Sequence, residues 1–322
     1  MGRNILEVID LRTYFFTRSG VAKAVDGVSI TVGEEETLGL VGESGSGKSI
    51  TCLSILRLVP SPAGRIVSGK ILLNGQDLAI KSEKEMRQIR GKSISMILQN
   101  PMTSLNPVFT IGDQVAQPIK IHQNLDKRKI QEKVLDMLRQ VKIPSPEVRV
   151  NEYPHQMSGG MRQRIVGAMA LSCQPQLLIA DEPTTALDVT IQAQFLNLLK
   201  EVQKELKVAM IIVTHDFGIV AKVCDRVAVM YAGRIVEEAK IRDLFNRHQH
   251  PYTAALMNSL PQMDRKVKRL YSIEGQPPDL KKMPHGCHFA PRCSRVMEIC
   301  KKEYPRQTII GDGHTFNCWL AG

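Results

Sequence analysis

The sequence predicts an α/β fold with a mainly parallel core sheet, and two observations support this. Apolar strand patterns alternate with amphipathic helical patterns through most of the chain, which is typical of a parallel sheet covered by helices. One apolar segment, residues 37–41, also leads through a glycine-rich loop into a helical pattern. With 322 residues, 43% of them hydrophobic, the chain can form one large domain and a smaller one, or two domains.

The individual elements follow from apolar spacing and turn residues. Strand patterns occupy residues 4–42 in several pieces, split by a turn around Gly33, and recur at 65–73, 93–99, 177–180 and 208–214. A hairpin about Ala232-Gly233 is predicted at 227–236. Helical patterns cover residues 50–59, 108–140, 165–171, 189–206 and 218–223.

Composition argues against several classes of protein. No apolar run approaches the ~18 residues that a membrane span needs, and the longest, residues 208–213, has the length of a strand. Arg3, Glu7 and Asp10 interrupt any apolar core near the N-terminus, so we expect no signal peptide and a cytoplasmic protein. The net charge of +11 is spread along the chain with few dense runs, and we expect no nucleic-acid partner.

The most specific motif is a phosphate-binding loop at residues 42–49, which fits G-x-x-x-x-G-K-[ST] at every fixed position. Its glycines let backbone N–H groups approach phosphate oxygens. Lys48 supplies a charge for the β- and γ-phosphates, and the Ser49 hydroxyl is placed for Mg²⁺. The predicted nucleoside triphosphate site therefore consists of Gly42, Ser44, Gly45, Ser46, Gly47, Lys48 and Ser49.

Two further motifs follow along the chain. The apolar strand 177–180 leads into Asp181 and Glu182, which fit a Mg²⁺-associated acid and a base that orients the attacking water. Ser158-Gly159-Gly160 precedes a helical pattern and forms a second anion seat. Because the chain already has one phosphate loop, the second seat suggests use in trans, on a nucleotide held by another subunit.

In this order, the motifs resemble the ATP-binding subunits of ABC transporters over residues 5–245. The resemblance implies a P-loop NTPase of the ABC cassette type, with a mainly parallel core sheet, an antiparallel β lobe and a helical subdomain at about residues 100–160. Ser158-Gly159-Gly160 matches the signature motif, and Asp188, in Ala186-Leu187-Asp188, matches the D-loop. Gln99 matches the Q-loop glutamine, and His215 matches the switch histidine near the γ-phosphate.

The same resemblance assigns the roles of these residues. Lys48, Gln99, Glu182 and His215 are expected to be catalytic, and Ser49, Gln99 and Asp181 are expected to hold Mg²⁺. The adenine-stacking aromatic is expected among Tyr14, Phe15 and Phe16, with Phe15 favoured by its spacing from Leu11. Met161 and Met157 depart from the usual glutamine and leucine of the signature, and methionine at 161 resembles the peptide-uptake branch.

The C-terminal part carries its own signal. His250-Pro251-Tyr252-Thr253-Ala254-Ala255-Leu256 resembles the C-terminal extension of oligopeptide, dipeptide and nickel import ATPases. We therefore expect an ABC cassette at residues 1–245 and a peptide-importer-type extension at 246–322. Residues 261–286, rich in proline and charge, predict a linker or an irregular strap.

Four cysteines fall in this extension, Cys287, Cys293, Cys300 and Cys318, with the spacing C-x5-C-x6-C-x17-C. A disulfide set is not expected in a reducing compartment, and the close cysteine pairs usual for structural zinc are absent. A [4Fe–4S] cluster is the favoured hypothesis, and members of this branch resemble the pattern. Zn²⁺ and unmetallated thiols stay open, with His285 and His288 as alternative ligands. Cys52, Cys173 and Cys224 are predicted to be buried, inert thiols.

The resemblance implies an ATPase at the cytoplasmic face of the membrane that powers import of di- and oligopeptides. Its expected partners are two transmembrane permease subunits and a second ATPase subunit, itself or a paralogue, in a head-to-tail dimer. An extracytoplasmic solute-binding protein would be involved indirectly. Import of nickel or another small solute is the alternative function, and a soluble ABC ATPase acting on nucleic acid or ribosomes is a more remote one.

Overall fold

The computed structural model describes residues 3–99, 101–184, 188–259 and 271–321. The strands are β1 (Asn4–Thr17), β2 (Gly20–Gly33), β3 (Thr37–Val41), β4 (Gly64–Leu73), β5 (Gln76–Asp77), β6 (Ile94–Ile97), β7 (Leu177–Asp181), β8 (Ala209–Thr214), β9 (Arg226–Tyr231), β10 (Arg234–Lys240), β11 (Thr308–Ile310) and β12 (His314–Phe316). The α-helices are α1 (Lys48–Ile55), α2 (Glu83–Ile89), α3 (Pro101–Ser104), α4 (Ile111–His122), α5 (Lys127–Gln140), α6 (Pro146–Arg149), α7 (Gly159–Leu171), α8 (Val189–Leu206), α9 (Phe217–Val223), α10 (Ile241–Arg247), α11 (Pro251–Asn258) and α12 (Glu298–Lys302). Short 3-10 helices cover Pro154–Gln156, Ala290–Arg292 and Trp319–Ala321.

The chain divides into two compact units, of which the first comprises Met1–Leu6, Val32–Thr37 and Ile80–Val213. In this unit β6, β7 and β8 pair in parallel, with Ile94 opposite Leu177 and Leu177 opposite Ala209. Every residue of β7 and β8 is buried, as expected for parallel strands covered on both faces. Because the carboxyl ends of parallel strands meet at one edge, residues that follow β6 and β7 come together.

The helical part of the first unit refines the sequence prediction. Residues 108–140 were predicted as one helical stretch, whereas the structure has α4 and α5 with a break between them. The break has a local cause, because the Asp126 side chain accepts a hydrogen bond from the Lys129 N–H (2.9 Å) and caps α5. The predicted helix at residues 189–206 is confirmed as α8, capped in the same way by Asp188.

The second unit comprises Glu7–Thr31, Leu38–Ala79 and Thr214–Gly322. Here β3 pairs in parallel with β9, and β9 turns at Ala232-Gly233 into antiparallel β10, which confirms the predicted hairpin. Two strands of the C-terminal extension continue this sheet, because β12 pairs with β10 and β11 pairs with β12. A separate four-stranded sheet has the order β2-β1-β4-β5.

Cys52, Cys173 and Cys224 are buried as predicted. Residues 260–270 of the predicted linker lie outside the described residues, and 271–286 contain neither helix nor strand. Within the ranges that the structure describes, no helix is both long enough and apolar enough to cross a bilayer.

Candidate nucleotide site and cysteine pocket

The phosphate loop lies in the second unit, between β3 and α1. Gly42 and Gly47 adopt left-handed φ values of 155° and 107°. A Cβ on Gly42 would lie 2.1 Å from the carbonyl oxygen of Met230, and one on Gly47 would lie 2.2 Å from that of Ala24. The loop therefore packs so tightly on β2 and β9 that only glycine fits at either position.

Lys48 is only 5% exposed and points inward beneath this loop. Its ammonium donates hydrogen bonds to the carbonyl oxygens of Gly42 (2.8 Å) and Glu43 (2.9 Å). Ser46 is also buried, and Ser44 and Gly45 are exposed at the tip of the loop. The loop thus places one positive charge at the centre of its curve, beside Ser49 in the first turn of α1.

The predicted adenine-stacking aromatics lie near the end of β1. The Tyr14 hydroxyl donates to Asp26, and the guanidinium of Arg65 lies 5.6 Å from the ring centroid of the exposed Phe16. Phe15 is half-buried and close to Gly64, where an added Cβ would lie 2.9 Å from its ring. Phe15 as the adenine platform stays a prediction.

The predicted acids lie in the first unit, where β7 ends. Asp181 is 5% exposed, and Glu182 follows it with a left-handed φ of 44°. The Glu182 N–H donates to the Val213 carbonyl (2.9 Å), and its carboxylate accepts a hydrogen bond from Gln99 Nε2 (2.8 Å). A non-glycine residue in this backbone region is strained, which is characteristic of functional positions.

The contact between Gln99 and Glu182 joins residues 83 positions apart in the chain. Gln99 follows β6 and Glu182 follows β7, and Ile97 lies opposite Ala180 in the parallel pair. The structure therefore brings together Gln99, the predicted Q-loop glutamine, and Glu182, the carboxylate predicted to orient the attacking water. An amide that donates to one carboxylate oxygen fixes the orientation of the other oxygen.

The signature segment begins α7 in the same unit. The Ser158 side chain caps the helix by accepting a hydrogen bond from the Met161 N–H (3.3 Å), and Ser158 and Gly159 are both exposed. Gly160 approaches α8, because an added Cβ would lie 3.0 Å from Ile191. Exposed small residues at the start of a 13-residue helix present backbone N–H groups to solvent, as an anion seat used in trans requires.

Gln163 is a residue that the sequence analysis missed. It lies one turn into α7, is fully buried, and its side-chain amide donates to the carbonyl oxygen of Pro183. This bond ties the signature helix to the residue after Glu182. The polar Gln163 in an otherwise apolar stretch of α7 was a signal that could have identified it.

The remaining predicted site residues lie at exposed positions. Asp188 is exposed and caps α8, with its carboxylate accepting from the Thr190 and Ile191 N–H groups (3.1 and 2.9 Å). Ala186 and Leu187 of the predicted D-loop lie outside the described residues. His215 belongs to the second unit and is exposed directly after β8, ahead of Asp216, which caps α9.

The C-terminal extension, residues 246–322, is called the tail below. Its four cysteines line one pocket, together with His250, Phe289, Pro305 and Trp319. Burial raises the pKa of Cys287 to about 11 and raises the pKa of Cys293 and of Cys318, so these thiols are protonated at neutral pH. In the part of the chain that the structure describes, no group of three or more His, Cys, Asp or Glu residues is arranged to hold a metal ion. The four thiols therefore share one pocket without the arrangement of a metal centre, and the metal site stays a prediction.

The alternative histidine ligands do not line this pocket. His288 is buried elsewhere, its Nδ1 is 3.1 Å from the Ala232 carbonyl oxygen, and its ring packs on Tyr304. Burial lowers the pKa of His288 to about 4. His285 is exposed.

Comparison with known proteins identifies the fold and the family. A family profile described as "ABC transporter" matches residues 25–185. The dipeptide transport ATP-binding protein DppD of Bacillus subtilis is 52% identical over 316 residues, covering 98% of this chain and 94% of that protein. The chain belongs to the ATP-binding subunits of ABC transporters. This ABC subunit is accordingly an ATPase with the cassette fold that the order of its motifs predicted.

Three further comparisons extend the match. A profile described as "Oligopeptide/dipeptide transporter, C-terminal region" matches residues 236–300 of the ABC subunit. The oligopeptide transport ATP-binding protein AppD of Bacillus subtilis is 47% identical, covering 98% of this chain and 96% of that protein. Among solved structures, the dimeric structure of MJ0796, a bacterial ABC transporter cassette, matches with a TM-score of 0.65 and 25% identity, covering 74% of this chain and 99% of that chain.

The tight packing of the phosphate loop leads to a testable difference between two glycines. We expect Gly47→Ala to weaken MgATP binding at least about tenfold, because its Cβ would collide with the Ala24 carbonyl oxygen at 2.2 Å. Gly45→Ala is the matched control, since Gly45 also has a positive φ (77°) but an added Cβ meets nothing within 4 Å. Calorimetric titration measures the Kd for MgATP of both variants. An equal loss of affinity in the two would contradict a role for the close contact at Gly47.

Proposed function

We propose that this ABC subunit hydrolyses ATP to power the uptake of di- and oligopeptides through separate permease subunits at the cytoplasmic face of the membrane. One observation carries the proposal. The similarity to peptide-transport ATPases extends over the whole chain, including the tail region matched by the oligopeptide/dipeptide profile. A match confined to the cassette would leave the cargo class open, since the cassette is shared by ABC ATPases of many functions.

The geometry supports a defined role for each site residue. The phosphate loop and Lys48 would hold the phosphates, and Ser49, Gln99 and Asp181 would hold Mg²⁺. Glu182, oriented by its hydrogen bond from Gln99, would position the attacking water in line with the γ-phosphate, and His215 would stabilise the transition state. Catalysis of this kind depends mostly on positioning and electrostatics, which suits a carboxylate fixed by backbone and amide hydrogen bonds.

Two cassettes, identical or paralogous, would sandwich two MgATP head to tail, with Ser158 and Gly160 of one facing the nucleotide of the other. The exposed start of α7 supports this arrangement, and the related cassette MJ0796 is described as dimeric. Exposed apolar side chains adjoin the Q-loop in the chain, with Leu98 50%, Val108 71% and Phe109 52% exposed. These residues suit a contact with a permease subunit, so that nucleotide-driven movement at Gln99 would reach the membrane partner.

Reconstitution tests the cargo directly. The chain is assembled with its permease subunits and solute-binding protein in liposomes, and ATP hydrolysis is measured after addition of a dipeptide, an oligopeptide or Ni²⁺. We expect stimulation by peptide and none in the Glu182→Gln variant. Stimulation by Ni²⁺ alone would favour the nickel-importer alternative, and co-fractionation of the tagged chain with ribosomes or DNA would favour a soluble ABC ATPase.

We further propose that Cys287, Cys293, Cys300 and Cys318 hold a [4Fe–4S] cluster, with Zn²⁺ as the alternative. The support is the donor set, four thiols around one pocket, which suits either group once the thiols are deprotonated. A bound metal would supply a structural cross-link for a tail whose strands β11 and β12 have only three residues each.

Metal content distinguishes the alternatives. Anaerobically purified protein is expected to contain about four irons and four sulfides per chain with a broad visible absorption. Cys293→Ser should lose both metal and colour, whereas Cys173→Ser, at a buried thiol outside the pocket, should retain them. About one zinc per chain without colour would establish the alternative, and neither metal would refute the proposal.

A further inference from the structure

In the part of the chain that the structure describes, the tail contacts the phosphate loop at Glu43. Glu43 occupies the first variable position of the motif, directly after Gly42. Its N–H donates to the Tyr252 hydroxyl (2.9 Å), and its carboxylate accepts two hydrogen bonds from Arg292, at 2.6 Å and 3.0 Å. Its carbonyl oxygen accepts from Lys48 (2.9 Å), so each polar group of Glu43 is held.

Arg292 is itself fixed on several sides. Its side chain is 4% exposed, compared with 27% for that of Glu43. Its Nε donates to the Glu274 carbonyl (3.0 Å), and its guanidinium lies 5.9 Å from the ring centroid of Tyr231. A buried, two-pronged guanidinium–carboxylate pair has a defined geometry, unlike a surface ion pair between mobile side chains.

The two tail residues that hold Glu43 come from separate segments. Tyr252 lies in the first turn of α11, and Arg292 ends the 3-10 helix just before Cys293. An aromatic cluster of Tyr231, Tyr252 and Phe289 joins the segments, with ring centroids 4.5–5.3 Å apart. Both contacts therefore depend on one packed tail and would be lost together if the tail became disordered.

The contact at Glu43 also reaches Lys48, the residue predicted to bind the ATP phosphates. Lys48 is the predicted ligand of the β- and γ-phosphates, and one of its hydrogen-bond partners is the carbonyl of Glu43. A chain of direct hydrogen bonds thus runs from Arg292 through Glu43 to Lys48. Movement of Glu43 would shift both the backbone that faces the phosphates and the acceptor that orients the lysine.

We propose that Arg292 and Tyr252 are positioning residues of the ATP site, through which the C-terminal tail holds the phosphate loop in its ATP-binding shape. The tail therefore determines the affinity for ATP, although its cysteine pocket is lined by none of the phosphate-loop residues. This inference rests on the assignment of residues 42–49 as the ATP site.

The test compares MgATP binding and turnover by the full chain and its variants. Arg292→Gln and Glu43→Gln should each raise the Kd and the KM for MgATP roughly 10- to 100-fold with a smaller change in kcat. The double variant should bind no more weakly than either single variant, because the two residues act as one pair. Arg292→Lys keeps the positive charge but loses the two-pronged guanidinium, so its Kd for MgATP should lie between those of the wild type and Arg292→Gln.

Lys240→Gln is the matched control, since Lys240 pairs with Asp312 of the tail at an exposed site away from the loop. It should bind MgATP as the wild type does. The single tryptophan, Trp319, lines the cysteine pocket, so its fluorescence reports whether the tail remains folded in each variant. If Arg292→Gln loses the native Trp319 signal, Tyr252→Phe decides, because it keeps the ring and removes only the hydroxyl, and its Kd should rise severalfold.

Two outcomes would overturn the inference: folded Arg292→Gln or Tyr252→Phe protein that binds MgATP like the wild type, or fully additive effects in the double variant. Failure of the ATP-site assignment looks different. In that case the wild type would not bind MgATP, or Lys48→Ala would bind it equally well.

Discussion

Glu182→Gln is expected to stop ATP turnover while leaving ATP binding intact. The substitution keeps the size of the side chain and its position after β7, but it removes the carboxylate that would orient and deprotonate the attacking water. General-base catalysis contributes about 10²- to 10⁴-fold, so we expect kcat to fall at least about 100-fold. Because hydrolysis opens the proposed dimer, the variant should also accumulate as a closed dimer with MgATP bound.

Single-turnover hydrolysis and nucleotide binding measure this prediction together. Glu201→Gln is the matched control, since Glu201 lies on α8 with 59% of its side chain exposed and pairs with a surface lysine, Lys142. Its kcat should stay within about twofold of the wild type, as is usual for surface changes. Wild-type turnover by Glu182→Gln would mean that another group activates the water.

Ser158→Arg is expected to abolish hydrolysis while ATP still binds to the phosphate loop of the same chain. Ser158 is exposed at the start of α7 and belongs to the other unit from the phosphate loop. An arginine there would fill the anion seat that the partner's nucleotide needs, with no effect on Lys48. Loss of ATP binding to the isolated variant would argue against use in trans.

Mixing two inactive variants sharpens this test. Lys48→Ala and Ser158→Arg chains should each be inactive alone, but a mixed dimer would contain one site with an intact loop and an intact opposing Ser158. If the chain pairs with itself, mixing should restore up to about half of the wild-type activity per mixed dimer. No recovery, with mixed dimers shown to form, would exclude a trans site in the homodimer, whereas failure to form dimers would direct attention to a paralogous partner.

The sequence predicted those parts of the structure that depend on local pattern. The helix at 189–206 matched to the residue because Asp188 caps it and its apolar face is regular. The turn at Ala232-Gly233 and the loop glycines were predicted for similar reasons, since each is required by a backbone conformation with positive φ. The division of residues 108–140 was missed even though Asp126, a good N-cap residue, marks it.

Contacts between distant residues could not be predicted in this way. Glu43 and Arg292 are 249 positions apart, and no sequence motif contains both residues. The hydrogen bond from Gln163 to the Pro183 carbonyl was missed for the same reason, because it depends on the packing of α7 beside the end of β7. The motif order nevertheless led to the right family, because each motif encodes a local geometry that the fold then assembles.

The pairing of β12 with β10 makes the extension part of the cassette's own sheet. Glu237 on β10 is fully buried, and its carboxylate accepts a hydrogen bond from the His250 N–H. The Nε2 atom of His314, on β12, lies 2.8 Å from Oε1 of the same carboxylate. A chain cut after Ser259 would leave β10 with an open row of backbone N–H and C=O groups and a buried carboxylate short of a partner. Such an open strand is a template for self-association, so ATPases of this kind are better studied at full length than as trimmed cassettes.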